Sequence, residues 1–331
     1  MVLIIEGKRP SLLPEGPVLE AETLGAETTV LRYGPLEDVP GDVLSQADAV
    51  IVRPGTRFGR DQIEQLDRCR VLISLGVGFE HIDLVAAQEH GLPVCNVPDY
   101  GVEEVSDTAL AMILFLHRRL GAFSRHARFH AMEWDWRVLK PIRRARQSTV
   151  GIIGLGRIGT SVALKVKALG YRVLFYDPYL RRGMEKSIGV ARASELGELL
   201  SASDIVTIHT PLTAETSGLV NAGFISAMKS NSILINVSRG GILQSLDVLY
   251  EALRDRKGFA VGLDVLPVEP PERHRLLEAW RQDEEWLCGR FLLTPHAAFY
   301  SEESCQELRR NAAEIAKAVL SGQPPYNVVN L

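Results

Sequence analysis

TVGIIGLGRIGTSVALKVKALGYRVLFYDPY, residues 149–179, is the stretch from which the rest of the chain can be read. An apolar run at 150–153 leads into Gly154-Leu155-Gly156-Arg157-Ile158-Gly159. An amphipathic run to Leu169 follows, Gly170 stops it, and a second apolar run at 173–176 ends on Asp177, 18 positions after Gly159. The pattern predicts strand, glycine turn, helix and strand, with an acid at the second strand's end. Each glycine has a separate task in holding a dinucleotide. Gly154 allows the tight turn, Gly156 lets a pyrophosphate reach the backbone, and Gly159 lets the helix lie close on the strand. The helix start offers free N–H groups and a positive dipole to the phosphates, with Arg157 and Ile158 in the loop itself. Asp177 accepts hydrogen bonds from the adenosine ribose. A carboxylate there repels a 2′-phosphate, and Pro178 and Tyr179 follow instead of a basic pair. NAD(H) is therefore expected over NADP(H).

At 331 residues the chain predicts about two domains. A hydrophobic fraction of 46% with 24% charged residues is that of an ordinary globular protein. The net charge of −4 and pI of about 6.1 give no electrostatic reason to expect nucleic acid or an anionic membrane as a partner. The first apolar run, at 2–5, is only a strand's length and meets Glu6, so a cytoplasmic protein without signal peptide or membrane span is expected. Cys69, Cys95, Cys288 and Cys305 have neither CxxC spacing nor histidine company, and read as small buried hydrophobes in a reducing compartment.

Residues 1–98 read as one α/β unit, with apolar runs at 2–5, 49–52, 71–75 and 92–97 and helical spacing at 61–69 and 82–89. No GxGxxG occurs there, so this is not a second dinucleotide site. The run 101–119 predicts a long amphipathic helix apolar enough to be covered on more than one side, by core or by another subunit. Helical spacing continues over 122–136, where His126 and His130 stand at i, i+4. No acidic or cysteine partner lies at ligand spacing, so no metal site is expected and the pair reads as a solvated face. Residues 140–146 read as a basic surface link. Beyond Asp177, strands at 204–209, 232–237 and 259–263 alternate with helices near 194–201, 222–228 and 245–254, predicting a six-stranded doubly wound sheet. Ligands of such sheets bind beyond the strands' carboxyl ends, where Ser238-Arg239-Gly240-Gly241, Asp264 and Thr294-Pro295-His296 stand.

Hydride transfer to a 2-keto acid needs a cation for the carboxylate and ketone, an acid to protonate the nascent alkoxide, and a group that keeps that acid charged. Arg239, between a strand end and two glycines, suits the first because its planar fork matches a carboxylate. A histidine, with an unperturbed pKa near ~6.5, suits the second, which is His296. Glu269 suits the third.

NVSRGG (236–241), GLDVLPVEP (262–270) and TPHAAFYS (294–301) resemble, in order, the active-site signatures of the D-isomer-specific 2-hydroxyacid dehydrogenases. VLFYDPYL (173–180) and VCNVPDYGVEEVSDTAL (94–110) bring the likeness closest to the C-terminal-binding-protein branch. The resemblance runs from about residue 71 to the end. It implies two doubly wound parallel-sheet α/β domains, Rossmann-like and flavodoxin-like, the nucleotide-binding one inserted into the other. Residues 1–98 and 299–331 would form the substrate-binding domain and 99–298 the NAD-binding domain. It implies Arg239, Glu269 and His296 as the catalytic set. Gly76, Val77 and Gly78 would offer backbone N–H groups to the substrate carboxylate. Thr108, Thr210, Pro211, Val237, Ser238, Asp264 and His296 would line NAD, with Asp264 near the nicotinamide carboxamide. Tyr100, Phe299 and Arg239 would face the substrate, and Arg53 sits where phosphoglycerate dehydrogenases place a substrate arginine. A homodimer with the 101–119 helix at its seam is the family's habit.

There are departures. Gln244-Ser245 replaces the usual Asp-Glu, Phe299 stands for the tryptophan of C-terminal-binding proteins, and 27 positions separate Glu269 from His296. The extra PERHRLLEAWRQDEEWLCGR reads as an amphipathic helix that covers the site, covers a dimer surface or decorates the exterior. An NAD-dependent dehydrogenase of small 2-keto or D-2-hydroxy acids is the expected function. The alternative is an NAD(H)-sensing dimer that recruits proteins in the manner of C-terminal-binding corepressors. The lack of long polar tails favours the enzyme.

Overall fold

The computed structural model describes all residues except 9–15, 131, 133, 140, 141 and 331. The chain divides into Met1–Gly101 with Tyr300–Leu331, and Val102–Phe299. Chain connectivity therefore makes the second unit an insertion into the first.

Among the described residues the first unit is built on five strands, β1 (Val2–Ile5), β2 (Val30–Tyr33), β3 (Ala49–Val52), β4 (Leu72–Ser74) and β5 (Val94–Cys95), in the order β2-β1-β3-β4-β5. All neighbours pair in parallel. The order is that of flavodoxin-like sheets. Both faces are covered, so the strands read as continuous apolar runs, VLII and AVIV being buried throughout. Alternate side chains go to opposite faces. Val2 and Ile4 join one core cluster while Leu3 and Ile5 join another. The first of these is completed by Leu308, Ala312, Ile315 and Val319 of the final helix, Glu302–Leu320. Ser301 caps that helix by accepting from the Ser304 N–H at 2.9 Å. Arg309 forks onto the buried carboxylate of Glu20 at 2.7 and 2.9 Å, and Asn330 pairs with the backbone of Leu92 and Val94.

The second unit has, among the described residues, seven strands: β6 (Thr149–Ile153), β7 (Arg172–Tyr176), β8 (Ala191–Arg192), β9 (Ile205–Ile208), β10 (Ile233–Asn236), β11 (Ala260–Leu263) and β12 (Phe291–Leu293). Their order is β12-β11-β10-β9-β6-β7-β8, again parallel. Counted from β6 this is the doubly wound dinucleotide-binding order with one strand more, and the direction of winding reverses between β6 and β9. The expected six strands are thus seven. β8 and β12 are two and three residues long, too short to show a period, and β2, VLRY, is only half-buried and interrupted by Arg32.

Other elements also depart from the expected bounds. The 61–69 helix is only Arg60–Ile63. The 122–136 helix is Leu120–Phe129, followed by residues 131 and 133 outside the described set and a short 3-10 turn at Trp136–Val138. The basic link at 140–146 begins with two residues outside that set. Helix Val102–His117 packs Val105, Ala109, Met112, Ile113 and Leu116 into the core of its own unit. The inserted segment forms helix Arg275–Arg281, whose Leu276 and Leu277 enter the core with Leu249 and Leu253 of helix Leu246–Asp255. Trp286 meets Tyr250 edge-on at 5.7 Å, and the Arg275 guanidinium lies 4.0 Å over Tyr250 while bonding Asp247 and Glu251. This segment is thus seated on helix Leu246–Asp255 of the second unit. Among the described residues no helix is long and apolar enough to cross a membrane.

Candidate active site

β6 runs into Gly154, whose φ of +86° is open to glycine but strained for other residues. Its N–H donates to the Tyr176 carbonyl at 2.9 Å, and an added Cβ would lie 2.8 Å from the His209 carbonyl oxygen. Gly156 faces open space, with nothing within 4 Å of the point where a Cβ would stand. A Cβ on Gly159 would sit 2.0 Å from the Gly154 oxygen, so only glycine lets helix Arg157–Ala168 start this close to the strand. Asp177 braces the loop from the end of β7. One carboxylate oxygen accepts from the Leu155 N–H at 2.9 Å, the other from Tyr179 and Leu180 N–H at 3.0 and 3.1 Å. Beside the turn, the Thr210 hydroxyl and the His209 Nδ1 are buried without a hydrogen-bond partner among the described residues. Burial pushes the His209 imidazole down to about 3, so it stays neutral. An exposed helix start, an open approach at Gly156 and an orphaned hydroxyl at its edge fit the phosphates and ribose of a dinucleotide.

At the end of β10 the buried Asn236 shapes the next turn. Its Oδ1 accepts from the Ser238 N–H at 3.0 Å and hydroxyl at 2.8 Å, while its Nδ2 donates to the Arg239 carbonyl at 2.9 Å. Gly240 then presses on the Leu266–Pro267 backbone, where a Cβ would come within 1.8 Å of the Leu266 oxygen. The Arg239 turn and the Glu269 loop are thereby in contact. Glu269 Oε1 accepts from the Leu266 N–H at 3.0 Å, and Oε2 lies 2.7 Å from His296 Nδ1. A carboxylate only accepts, so His296 carries its proton on Nδ1 and turns Nε2 outward for chemistry. The His296 side chain keeps 35% exposure against 21% for Glu269, leaving the ring reachable. Its backbone is left-handed, φ +54°, which costs a non-glycine residue on the order of 1 kcal/mol. Phe299 packs edge-on to the ring at 6.4 Å. Asp264, buried at the end of β11, accepts from the Thr294 hydroxyl and from the Ala297 and Ala298 N–H groups. Thr108 donates to the Ala298 carbonyl at 3.4 Å.

The first unit holds the remaining candidates. After β4, three successive carbonyls are tied: Gly76 by the Val97 N–H at 3.0 Å, Val77 by the Asn96 side chain at 2.8 Å, and Gly78 by the Ser74 hydroxyl at 2.6 Å. Arg53 follows β3 and donates its N–H to Ile5, while Tyr100 packs against the unit's core cluster. The structure brings Arg239, Glu269, His296, Asp264 and Phe299 to neighbouring strand ends of one sheet, and keeps Arg53, Val77, Gly78 and Tyr100 in the other unit.

Residues 110–298 match the family model of the D-isomer specific 2-hydroxyacid dehydrogenase NAD binding domain. The chain belongs to this family. A D-3-phosphoglycerate dehydrogenase of Methanocaldococcus jannaschii is 35% identical over 87% of this chain and 52% of its own length. C-terminal-binding protein 1 of Caenorhabditis elegans is 30% identical over 89% of this chain and 40% of its own length. The chain thus spans about half, or less, of the curated relatives it matches. Among solved structures, the D-lactate dehydrogenase of Aquifex aeolicus, complexed with NAD and lactic acid, superposes with a TM-score of 0.81 at 29% identity, covering 97% of this chain and 96% of that one. The dehydrogenase family's NAD-binding domain is therefore the second unit's core, and NAD its cofactor.

The sequence reading missed Asn236, Ser74 and Asn96 as supports of the site. A polar residue closing an otherwise apolar strand was the available signal for Asn236 and Ser74. Among the described residues no group of three or more His, Cys, Asp or Glu is arranged to hold a metal. Burial pushes the Cys69 and Cys95 thiols up to about 12, which leaves both inert at neutral pH.

Proposed function

We propose that the chain is an NAD-dependent dehydrogenase that interconverts a small 2-keto acid and the D-2-hydroxy acid. The observation that carries this reading is the 2.7 Å pair between His296 Nδ1 and Glu269, mounted in a loop that abuts the Arg239 turn. NAD(H), when bound, supplies or accepts the hydride. The Gly154-Leu155-Gly156-Arg157-Ile158-Gly159 loop takes its phosphates, Asp177 its ribose, and Thr108, Thr210, Pro211, Val237 and Ser238 line it. Arg239 binds the substrate carboxylate and polarises the ketone. The backbone N–H groups of Val77 and Gly78 are assigned to carboxylate binding. The tied carbonyls of this loop support that role by fixing its conformation before substrate arrives. His296 Nε2 delivers the proton to the ketone oxygen in reduction and removes it in oxidation. Glu269 holds Nδ1–H and stabilises the imidazolium. Arg53 is assigned to a second anionic group on the substrate, and Tyr100 and Phe299 to its side chain.

NADH oxidation against a panel of 2-keto acids tests the proposal. Reduction of at least one, lost in His296→Ala, is expected; a chain inert to all of them, with His296→Ala no different, overturns it. Likeness to C-terminal-binding protein 1 carries a second reading, recruitment of a peptide in an NADH-linked way that Arg239→Gln leaves intact. We also assign a homodimer seam to helix Val102–His117. Exposed Leu120, Phe129, Trp134 and Trp136 just beyond it support this, and sedimentation checks it.

A further inference from the structure

The pair with Glu269 orients the His296 ring but leaves open what holds its backbone in the left-handed region. We propose that Asp264 is the positioning residue for His296. Its carboxylate clamps the segment on both sides of the histidine, and so aims the imidazole at Glu269. The inference rests on the dehydrogenase reading above.

Asp264 is 2% exposed, and a buried carboxylate persists only with donors around it. Among the described residues it has three. Oδ1 accepts from the Thr294 hydroxyl at 2.6 Å and the Ala297 N–H at 2.8 Å, and Oδ2 from the Ala298 N–H at 2.9 Å. One donor stands two residues before His296, and the other two immediately follow it. The Asp264 main chain joins in, its carbonyl accepting from the His296 N–H at 2.8 Å. Side chain and backbone of one residue thus grip four of the five positions from 294 to 298. Neither Ala297 nor Ala298 has a side chain able to hydrogen-bond, although the Ala298 methyl is buried in the core. The Asp264 N–H also donates to the Asn236 carbonyl at 3.0 Å, and Asn236 sets the Arg239 turn. A single hydrogen-bonded path therefore registers the turn bearing Arg239 with the loop bearing His296. Family resemblance puts Asp264 beside the nicotinamide carboxamide. Of the roughly four acceptor sites of its carboxylate, three go to the histidine loop.

Three variants test this: Asp264→Asn, Thr294→Val and Thr294→Ser. The amide keeps the aspartate's shape but turns an NH2 toward donors that need an acceptor. Asp264→Asn is expected to lower kcat for 2-keto acid reduction about 100-fold while NADH affinity stays within about twofold. Amide hydrogen exchange at Ala297 and Ala298 should speed up in the same variant. Thr294→Val, which spares the carboxylate and guards against a misfolded Asp264 variant, should lower kcat about tenfold, and Thr294→Ser, which keeps the hydroxyl, should restore it to within about twofold. A kcat unchanged in both Asp264→Asn and Thr294→Val would overturn the proposal. So would weakened NADH binding in Asp264→Asn with protected amides at 297 and 298, which would make Asp264 a cofactor contact. A wild-type chain inert to every keto acid would sink the dehydrogenase reading alone, and amide exchange at 297 and 298 would still decide the clamp.

Discussion

The two units open in the same way and then diverge. β1 ends near Gly7 (φ +75°) and β6 ends at Gly154 (φ +86°), each a left-handed glycine behind the first strand of a parallel sheet. At Gly7 a Cβ would lie 2.2 Å from the Thr56 hydroxyl oxygen, and at Gly154 one would lie 2.8 Å from a backbone carbonyl. Both are packing requirements of a doubly wound sheet. Only the second unit adds Gly156, which faces open space, and Gly159, which touches the Gly154 carbonyl. Gly7, Gly154 and Gly159 are thus each required by close packing, and Gly156 alone of the four is required by none. The functional loops differ in a related way. The 76–78 loop is held by its carbonyls, whereas the 154–159 loop ends in the exposed start of helix Arg157–Ala168.

Five measurements would break or sharpen this contrast. His296→Gln should cost about 1000-fold in kcat without changing NADH affinity, because it removes the acid and leaves the cofactor loop whole. Gly159→Ala should weaken NADH binding about 100-fold, as the loop and helix must separate. The matched change Gly7→Ala should leave NADH affinity intact and cost about 1–3 kcal/mol in denaturant unfolding. Equal losses of NADH affinity would erase the distinction. Ser74→Ala frees the Gly78 carbonyl and should raise KM for the keto acid about threefold with kcat nearly unchanged, since it loosens binding rather than chemistry. The smallest effect concerns His209. Its folded pKa, about 3, lies below the unfolded value of about 6.5. Stability from the neutral ring is therefore full above pH ~6.5 and falls as pH drops toward 3, by at most about 1.4 kcal/mol per unit. Melting temperatures of His209→Leu should decline less steeply across pH 6.5–5 than those of wild type.

The strands that carry the site were legible because burial on both sheet faces makes them uninterrupted apolar runs, as at 150–153 and 233–235. β8 and β12 were not, since two or three residues carry no period. The inserted segment showed an amphipathic helix in sequence, yet its seat was invisible, because the complementary Leu249, Leu253 and Tyr250 lie 20 and more positions upstream. Arg239 and His296 stood out by residue type and place after a strand, and Glu269 through the family resemblance. The hold of Asp264 on their neighbourhood did not, because two of its three donors are main-chain N–H groups of alanines some 33 positions away. The left-handed backbone of His296 was hidden for a similar reason, being imposed by partners and not by local propensity.

The first unit depends on the last helix for most of one face of its sheet, with Arg309 on Glu20 and Asn330 on the β5 edge. A chain emerging from the ribosome presents β1 to β5 some two hundred residues before that cover exists. Meanwhile Val102–Phe299 is contiguous and can close its own core as soon as it is made. The order of synthesis thus opposes the order of completion: what is translated first is finished last. Val2, Ile4, Ile51 and Ile73 stay open to solvent or to chaperones in the interval, and a truncation that spares every catalytic residue but removes the final helix would leave them so permanently.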